Sequence, residues 1–369
     1  MGNNESEKPN PNRGKMFYYL NMIFLCAVTV ISLTMTVILF IRLERMRSRE
    51  DQEGTLYTEA QIEKMKYAAR ESERNRVLLD IQSSFESGKS TISMLRDLFP
   101  GDLVVMSEGR YYFYPVDRNL QMNGFASTDF AVGDNGAMEY TGEDSRVSVS
   151  RGIDVSSLNG DIDWQKVSED RIAFAMLRIA YEDSEGNLVV DEKFQENLSG
   201  AKSSGIRTGC YVDLGEVGEE NASETAAFVL EHLGLSQKEM GAPVAVRVQS
   251  QDQTGARRDH TREEWTQSVR TFCRAIKKGG YDPVIYANTA SFNMLLKMNE
   301  LEDFSKWIAD YGDYLYFPYK FSCWQYSVKG TVNGIEGDVA LDLSVTVSEE
   351  AADDSGSKEK TLDTGENGG

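Results

Sequence analysis

The chain is poor in the residues that build metal and redox centres. Its 369 residues include only four cysteines, two histidines and seven prolines. Cys26, Cys210, Cys273 and Cys323 form no Cys-x-x-Cys pair, and His232 and His260 are the only imidazoles, so no zinc site is expected. The three cysteines beyond the apolar segment read as small buried hydrophobes, with room for one disulfide among them. Positive charge is also short: 39 Lys and Arg stand against 59 Asp and Glu, a net charge of −20. That balance excludes a nucleic-acid partner, which needs a basic face, and disfavours lying on an anionic lipid surface. Glycine-rich phosphate loops, a Gly-x-Ser-x-Gly elbow and internal repeats are all missing. No cofactor is expected.

What the chain does have is one long uncharged run, Met16 to Ile41, bounded by Lys15 and Arg42. At ~1.5 Å per helical residue it spans a hydrocarbon core of ~30 Å with length to spare. A cleavable signal peptide is the rival reading. The run is too long for one, and Arg42-Leu43-Glu44-Arg45 follows it instead of a small-x-small site. The expectation is an uncleaved anchor over 16–41 behind a disordered, Asn/Pro-rich tail at 1–15. Lys8, Arg13 and Lys15 flank one side; Arg42, Arg45, Arg47 and Arg49 flank the other, so charge sets no clear orientation.

Residues 42–100 are charge-rich, with apolar residues at scattered helical spacing such as Ile62, Met65, Ala69 and Leu79. They predict a helical stalk, ended by Phe99-Pro100-Gly101. Ser72 and Arg76 break the heptad pattern, which leaves a coiled coil and a plain solvated helix as alternatives. Leu103–Met106 and Tyr111–Tyr114 flank Ser107-Glu108-Gly109-Arg110 and predict a β-hairpin. The rest of 101–148 reads as linker, and the Gly/Ser/Asp-rich tail at 349–369 as disordered.

From Arg151 onward, short apolar strands alternate with amphipathic helices. Strands are predicted at 152–155, 173–179, 208–212, 244–248, 284–286, 307–309 and 323–326, with helices such as 191–204 and 223–233 between them. This alternation predicts an α/β fold, either a parallel β/α barrel or a doubly wound sheet, with function at the carboxyl ends of the strands.

Several motifs in this region resemble glycoside hydrolase family 25, the lysozyme-like muramidases. They are Arg151-Gly152-Ile153-Asp154-Val155-Ser156 with Asp161-Ile162-Asp163-Trp164, then Val190-Asp191-Glu192-Lys193-Phe194 with Asn197 and Gly200-Ala201-Lys202. Pro283-Val284-Ile285-Tyr286, Trp307-Ile308-Ala309-Asp310-Tyr311, Trp324-Gln325-Tyr326 and Val332-Asn333-Gly334-Ile335-Glu336-Gly337 continue the series. The resemblance covers most of 151–346. It implies an irregular β/α barrel over 149–348 that grips peptidoglycan and cleaves between its two sugars. It also implies an extracellular site for the domain, hence a single-pass protein of the cell membrane.

The chemistry departs from that pattern. Asp154 matches the first acid, at the end of the first strand. The family's Asp-x-Glu, whose Glu is the usual proton donor, reads Arg247-Val248-Gln249 here, and its late acid is Ala340 in Val339-Ala340-Leu341-Asp342. Asp342 keeps a position usually Asn or Asp. Glycoside hydrolysis needs one carboxyl to protonate the leaving oxygen and another to attack or stabilise, and an amide at Gln249 cannot release a proton. The expected arrangement is an Arg247–Asp154 ion pair, with the guanidinium lowering the acid's pKa. Asp213, Glu216, Asp252 and Asp310 are the candidates for relocated acids.

The expected groove comprises Tyr211, Asp213, Arg247, Gln249, Tyr286, Trp307, Trp324, Gln325 and Asp342 around Asp154. Its aromatics either stack on sugar or fill the barrel core. Trp164 and Trp265 read as packing. Three functions are compatible with this pattern: glycan binding or scaffolding without hydrolysis, a muramidase with relocated acids, and an envelope protein-interaction module.

Overall fold

A computed structural model describes residues 12–50, 57–133, 136–233, 241–251, 258–312 and 314–348. The tails expected to be disordered, 1–11 and 349–369, and the candidate acid Asp252 lie outside the described residues. The chain divides into two compact units, Met1–Gly88 and Lys89–Gly369.

The first unit is helical. Helix α1 (Asn12–Glu50) contains an apolar stretch, Lys15–Arg47, that is long and apolar enough to cross a membrane. Helix α2 (Glu59–Glu86) opens with a capping box: Thr58 Oγ1 accepts from Gln61 N (3.3 Å), and Gln61 Oε1 accepts from Thr58 N (2.8 Å). No residue of α2 is buried, and its faces carry pairs such as Glu63–Lys66 (2.9 Å). Exposed pairs of that kind contribute little stability. The segment read as one stalk over 42–100 is divided instead. Gly88 (φ 75°) and the cap Ser90 separate α2 from α3 (Thr91–Leu98), a short helix of the second unit with Met94 buried.

The second unit is a closed eight-stranded barrel. Its strands are β5 (Val147–Val155), β6 (Phe174–Glu182), β8 (Arg207–Asp213), β9 (Gly241–Arg247), β10 (Pro283–Asn288), β11 (Ser305–Ala309), β12 (Cys323–Gly330) and β13 (Val339–Val347). Pairing runs β5-β13-β12-β11-β10-β9-β8-β6, and the β5–β6 pairing closes the ring. Closure rules out the doubly wound sheet. The ring is irregular because β13 runs antiparallel to both β12 and β5 while the other neighbours are parallel. β13 was absent from the predicted strands, and β7 (Leu188–Val190), which pairs with β6, occupies residues just before the predicted helix.

Helices α4 (Trp164–Glu169), α5 (Phe194–Ser203), α6 (Glu219–Leu233), α7 (Arg262–Lys278) and α8 (Thr289–Leu295) surround the strands. Helix α7 illustrates why they form: Thr261 and Glu264 make a capping box, and Trp265, Val269, Phe272 and Ile276 bury one stripe at helical spacing. Trp164 and Trp265 are buried, as expected of packing residues.

Residues ahead of the barrel are built onto it. The predicted hairpin is β1 (Asp102–Ser107) and β2 (Arg110–Pro115), turned at Glu108 (φ 51°) and Gly109 (φ 73°), the paired left-handed residues of a tight hairpin turn. Tyr316 fastens it: its hydroxyl accepts from Val104 N (2.6 Å) and donates to Asp102 O (3.1 Å), while Arg96 lies 3.7 Å from its ring centre. The stretch read as linker carries a second hairpin, β3 (Phe130–Val132) and β4 (Met138–Tyr140). Phe130 packs edge-on against Trp324 with centroids 5.5 Å apart.

Candidate functional site

Strand parity decides which predicted residues can meet. Successive side chains on a strand point to opposite faces. On β12, Gln325 therefore enters the barrel and Trp324 leaves it. Trp324 is fully buried in the outer core, its Nε1 donating to Asp310 O (2.8 Å). Placing both in the groove is corrected on that ground; Tyr326 lies in the same outer core. Inward positions at the carboxyl ends are Asp154 on β5, Asp213 on β8 and Arg247 on β9, with Gln249 just beyond. Gln325 and Asp342 join them from β12 and β13. Ala340 faces Asp154 across the β13–β5 ladder.

Two clusters fill this mouth. In the first, Arg247 clasps Asp213 through two hydrogen bonds, Nε to Oδ1 and Nη2 to Oδ2 (2.8 Å). Gln249 Nε2 donates to the same Asp213 Oδ1 at 3.1 Å. Both residues standing where the resemblance puts the Asp-x-Glu acids are thus committed to Asp213, which is only 5% exposed. The expected Arg247–Asp154 pair does not form. Asp213 was the nearer acid because it faces Arg247 directly in the β8–β9 register. Burial works against the Arg247 cation, and the Asp213 carboxylate more than offsets it, raising the pKa above the usual arginine value.

The second cluster is a hydrogen-bonded chain. Tyr311 Oη donates to Gln325 Oε1, and Gln325 Nε2 donates to Asp154 Oδ2. Trp307 Nε1 donates to Asp342 Oδ1 (2.8 Å), whereas Asp342 Oδ2 is buried without a hydrogen-bond partner. Burial pushes the Asp154 carboxyl up to about 6, against the opposing pull of Gln325, Arg247, Asp342 and Tyr211. Burial, reinforced by the Asp154 charge, lifts Asp342 well above the carboxylate range despite the Trp307 N–H. The Asp154 charge thus makes Asp342 the acid that keeps its proton longer. The expectation that Arg247 would depress Asp154 is corrected: its attraction is present, but desolvation is larger.

The aromatics form a floor under both clusters. Tyr286 stacks on Trp307 (centroids 3.9 Å apart, planes at 16°), and Tyr211 meets Trp307 edge-on at 5.9 Å. All three are at least 94% buried, with Tyr286 the most exposed at 6%. Tyr311, the last residue of the Trp307–Tyr311 motif and absent from the expected groove, is the exposed aromatic at this mouth, at 53%. It lies two residues past Ala309, on the inward parity of Trp307, and that spacing could have found it.

Of the relocated-acid candidates, Asp213 is held by Arg247 and Gln249, and Asp310 and Glu216 lie elsewhere. Asp310 Oδ2 accepts from Tyr316 N (2.9 Å) and fastens the β11–β12 loop. Glu216 is exposed beyond β8. Among the described residues no group of His, Cys, Asp and Glu is arranged to hold a metal ion.

Acids, amides and aromatics thus converge at the carboxyl-end mouth of an irregular β/α barrel, where the functional sites of such barrels lie. Residues 153–335 match the family described as Glycosyl hydrolases family 25. The chain belongs to that family, and this part of it is a lysozyme-like domain. It is 28% identical over 198 residues to the uncharacterized protein YegX of Escherichia coli O6:H1, covering 52% of this chain and 68% of that one. It is 28% identical over 201 residues to the autolytic lysozyme of Clostridium acetobutylicum, covering 52% of this chain and 55% of that protein. The bacterial lysozyme from Streptomyces coelicolor superposes with a TM-score of 0.46 at 24% identity, over 56% of this chain and 94% of that one.

Proposed function

We propose that this protein is a membrane-anchored member of the lysozyme family that binds peptidoglycan strands, or holds them for a partner in the envelope, without cutting them. One observation carries the reading: Arg247 and Gln249 both close onto Asp213 where proton-handling acids would stand. The remaining acids, Asp154 and Asp342, come from the adjacent strands β5 and β13, on one side of the mouth. Glycosidase carboxyls instead flank the scissile bond, ~5–5.5 Å or ~6.5–9.5 Å apart. The mouth keeps two accessible groups suited to sugar recognition, the exposed Tyr311 and the solvent-facing Gln249. Anchoring rests on Lys15–Arg47, and an outward-facing barrel follows from a wall substrate.

The test is to incubate the full chain in detergent with insoluble peptidoglycan and measure both sedimentation with the wall and release of reducing ends. Retention with no release is expected. Release at the rate of an ordinary lysozyme overturns the proposal, and neither retention nor release would point to an envelope protein-interaction module. A second reading has one observation in its favour. A carboxyl raised to about 6, as Asp154 is, suits a general acid. Slow release that Asp154→Asn abolishes would establish that reading instead.

A further inference from the structure

The opposite end of the barrel holds a separate cavity of about 340 Å³. Phe174, Arg207, Pro283, Ser305 and Cys323, at or next to the first residues of β6, β8, β10, β11 and β12, ring it, so it opens at the amino-end mouth. An eight-stranded barrel is ordinarily filled there by layers of large branched side chains. Here the lowest layer is thin on several strands, where Ser305, Cys323 and Ser344 stand in place of bulky residues. Phe174 cannot fill the gap, because its ring leans across to β5, where a Cβ on Gly152 would come within 2.2 Å of it. The walls that remain are Phe174, Met176, Val284 and Trp307, while Arg207, Lys277, Asp282 and Asp303 supply two charges of each sign.

We propose that this mouth binds a single alkyl chain, with its polar head left at the rim. The volume is at the small end of the ~300–1,000 Å³ of ligand sites, whose walls are mostly apolar with a few polar groups, and it admits one chain and not two. Apolar walls favour the methylenes, and a rim of balanced charge admits a zwitterionic lipid head or, through Arg207 and Lys277, a free carboxylate. The apolar helix Lys15–Arg47 gives the protein access to such chains wherever it is inserted. The site shares only the Trp307 ring with the groove floor, and its failure would leave the wall-binding proposal untouched.

The full chain in nanodiscs of dioleoyl lipid is irradiated with decylphosphocholine carrying a terminal diazirine, and the labelled peptides are mapped by mass spectrometry. Label is expected on the barrel peptides containing Met176, Val284 and Cys323, reduced about tenfold by excess unlabelled decylphosphocholine or decanoate. Competition by the first alone assigns a lipid as the source, and by the second alone a free fatty acid. Val284→Trp or, should it misfold, Ser344→Leu is expected to cut barrel labelling by a similar factor. Label confined to Met16–Ile41, barrel label that neither competitor reduces, or full labelling of a folded filled variant overturns the proposal.

Discussion

Arg247 and Asp213 sit directly opposite each other on adjacent parallel strands and meet through a two-pronged hydrogen-bonded ion pair. The carboxylate is nearly inaccessible, whereas the guanidinium side chain keeps 27% of its surface. Such a pair contributes modestly when intact, since desolvation offsets attraction, but removing one partner strands the other. Arg247→Met is therefore expected to lose about 3 kcal/mol, the lower end for a buried pair because Arg247 is partly solvated. Arg247→Met with Asp213→Leu should recover most of that loss. Urea unfolding followed by near-ultraviolet circular dichroism measures both, and a single variant as stable as the parent would show the pair to be unimportant.

The same pair governs any attempt to restore hydrolysis. Arg247→Asp, Gln249→Glu and Ala340→Asp together replace the family's acids, but they place two new carboxylates beside an Asp213 that has lost its cation. Like charges in a poorly hydrated site raise one another's pKa and destabilise the fold. The triple variant is expected to be unstable and nearly inert. Adding Asp213→Asn should bring stability back and raise reducing-end release by about 10²-fold or more, the scale of a positioned general acid. Equal activity with and without the Asp213 change would contradict this coupling.

Much of this was legible from the chain. Alternating strands and helices gave the α/β class and the family resemblance chose the barrel, while Ser107-Glu108-Gly109-Arg110 gave the first hairpin through its turn chemistry. The partner of Arg247 was not legible: Asp154 and Asp213 are both strand-end acids, and only the register between β8 and β9 chooses. Trp324 was misplaced because its motif invited a sugar-binding reading, whereas alternation with Gln325 turns it outward. The hairpin at Phe130–Tyr140 was missed because each strand is three residues long, too short for a periodic signal.

Tyr311 offers a separation of binding from stability. It is largely exposed, and its hydroxyl donates to Gln325, which in turn holds Asp154. Losing one hydrogen bond and one stacking surface at the groove should weaken retention on insoluble wall about fivefold to tenfold in Tyr311→Ala. Unfolding free energy should change by less than about 0.5 kcal/mol, as for most surface substitutions. Unaltered sedimentation with peptidoglycan would remove Tyr311 from the binding surface.

The buried carboxyls of Asp154 and Asp342 predict an unusual pH dependence. A carboxyl whose folded pKa lies above its unfolded value binds more protons in the native state between those two values, so stability falls as pH rises. For Asp154 the window runs from the ordinary aspartate value of ~3.9 up to about 6. The loss across it is about 2–3 kcal/mol at ~1.4 kcal/mol per pH unit. Asp342, raised further, extends the decline above that window. Asp342→Asn should remove only the Asp342 part of the decline, because an amide can still accept from Trp307 Nε1 while the burial that raises Asp154 is unchanged. Urea unfolding at intervals from pH 4 to 7.5 checks the slope in both proteins. The carboxyl pair sits among the charged and titratable groups Arg247, Tyr211, Tyr286, Tyr311 and Cys323, of which only the acids titrate in this range. The slope between ~3.9 and about 6 must vanish in Asp154→Asn measured the same way, and a decline that persists there would assign it to carboxylates elsewhere in this acidic chain.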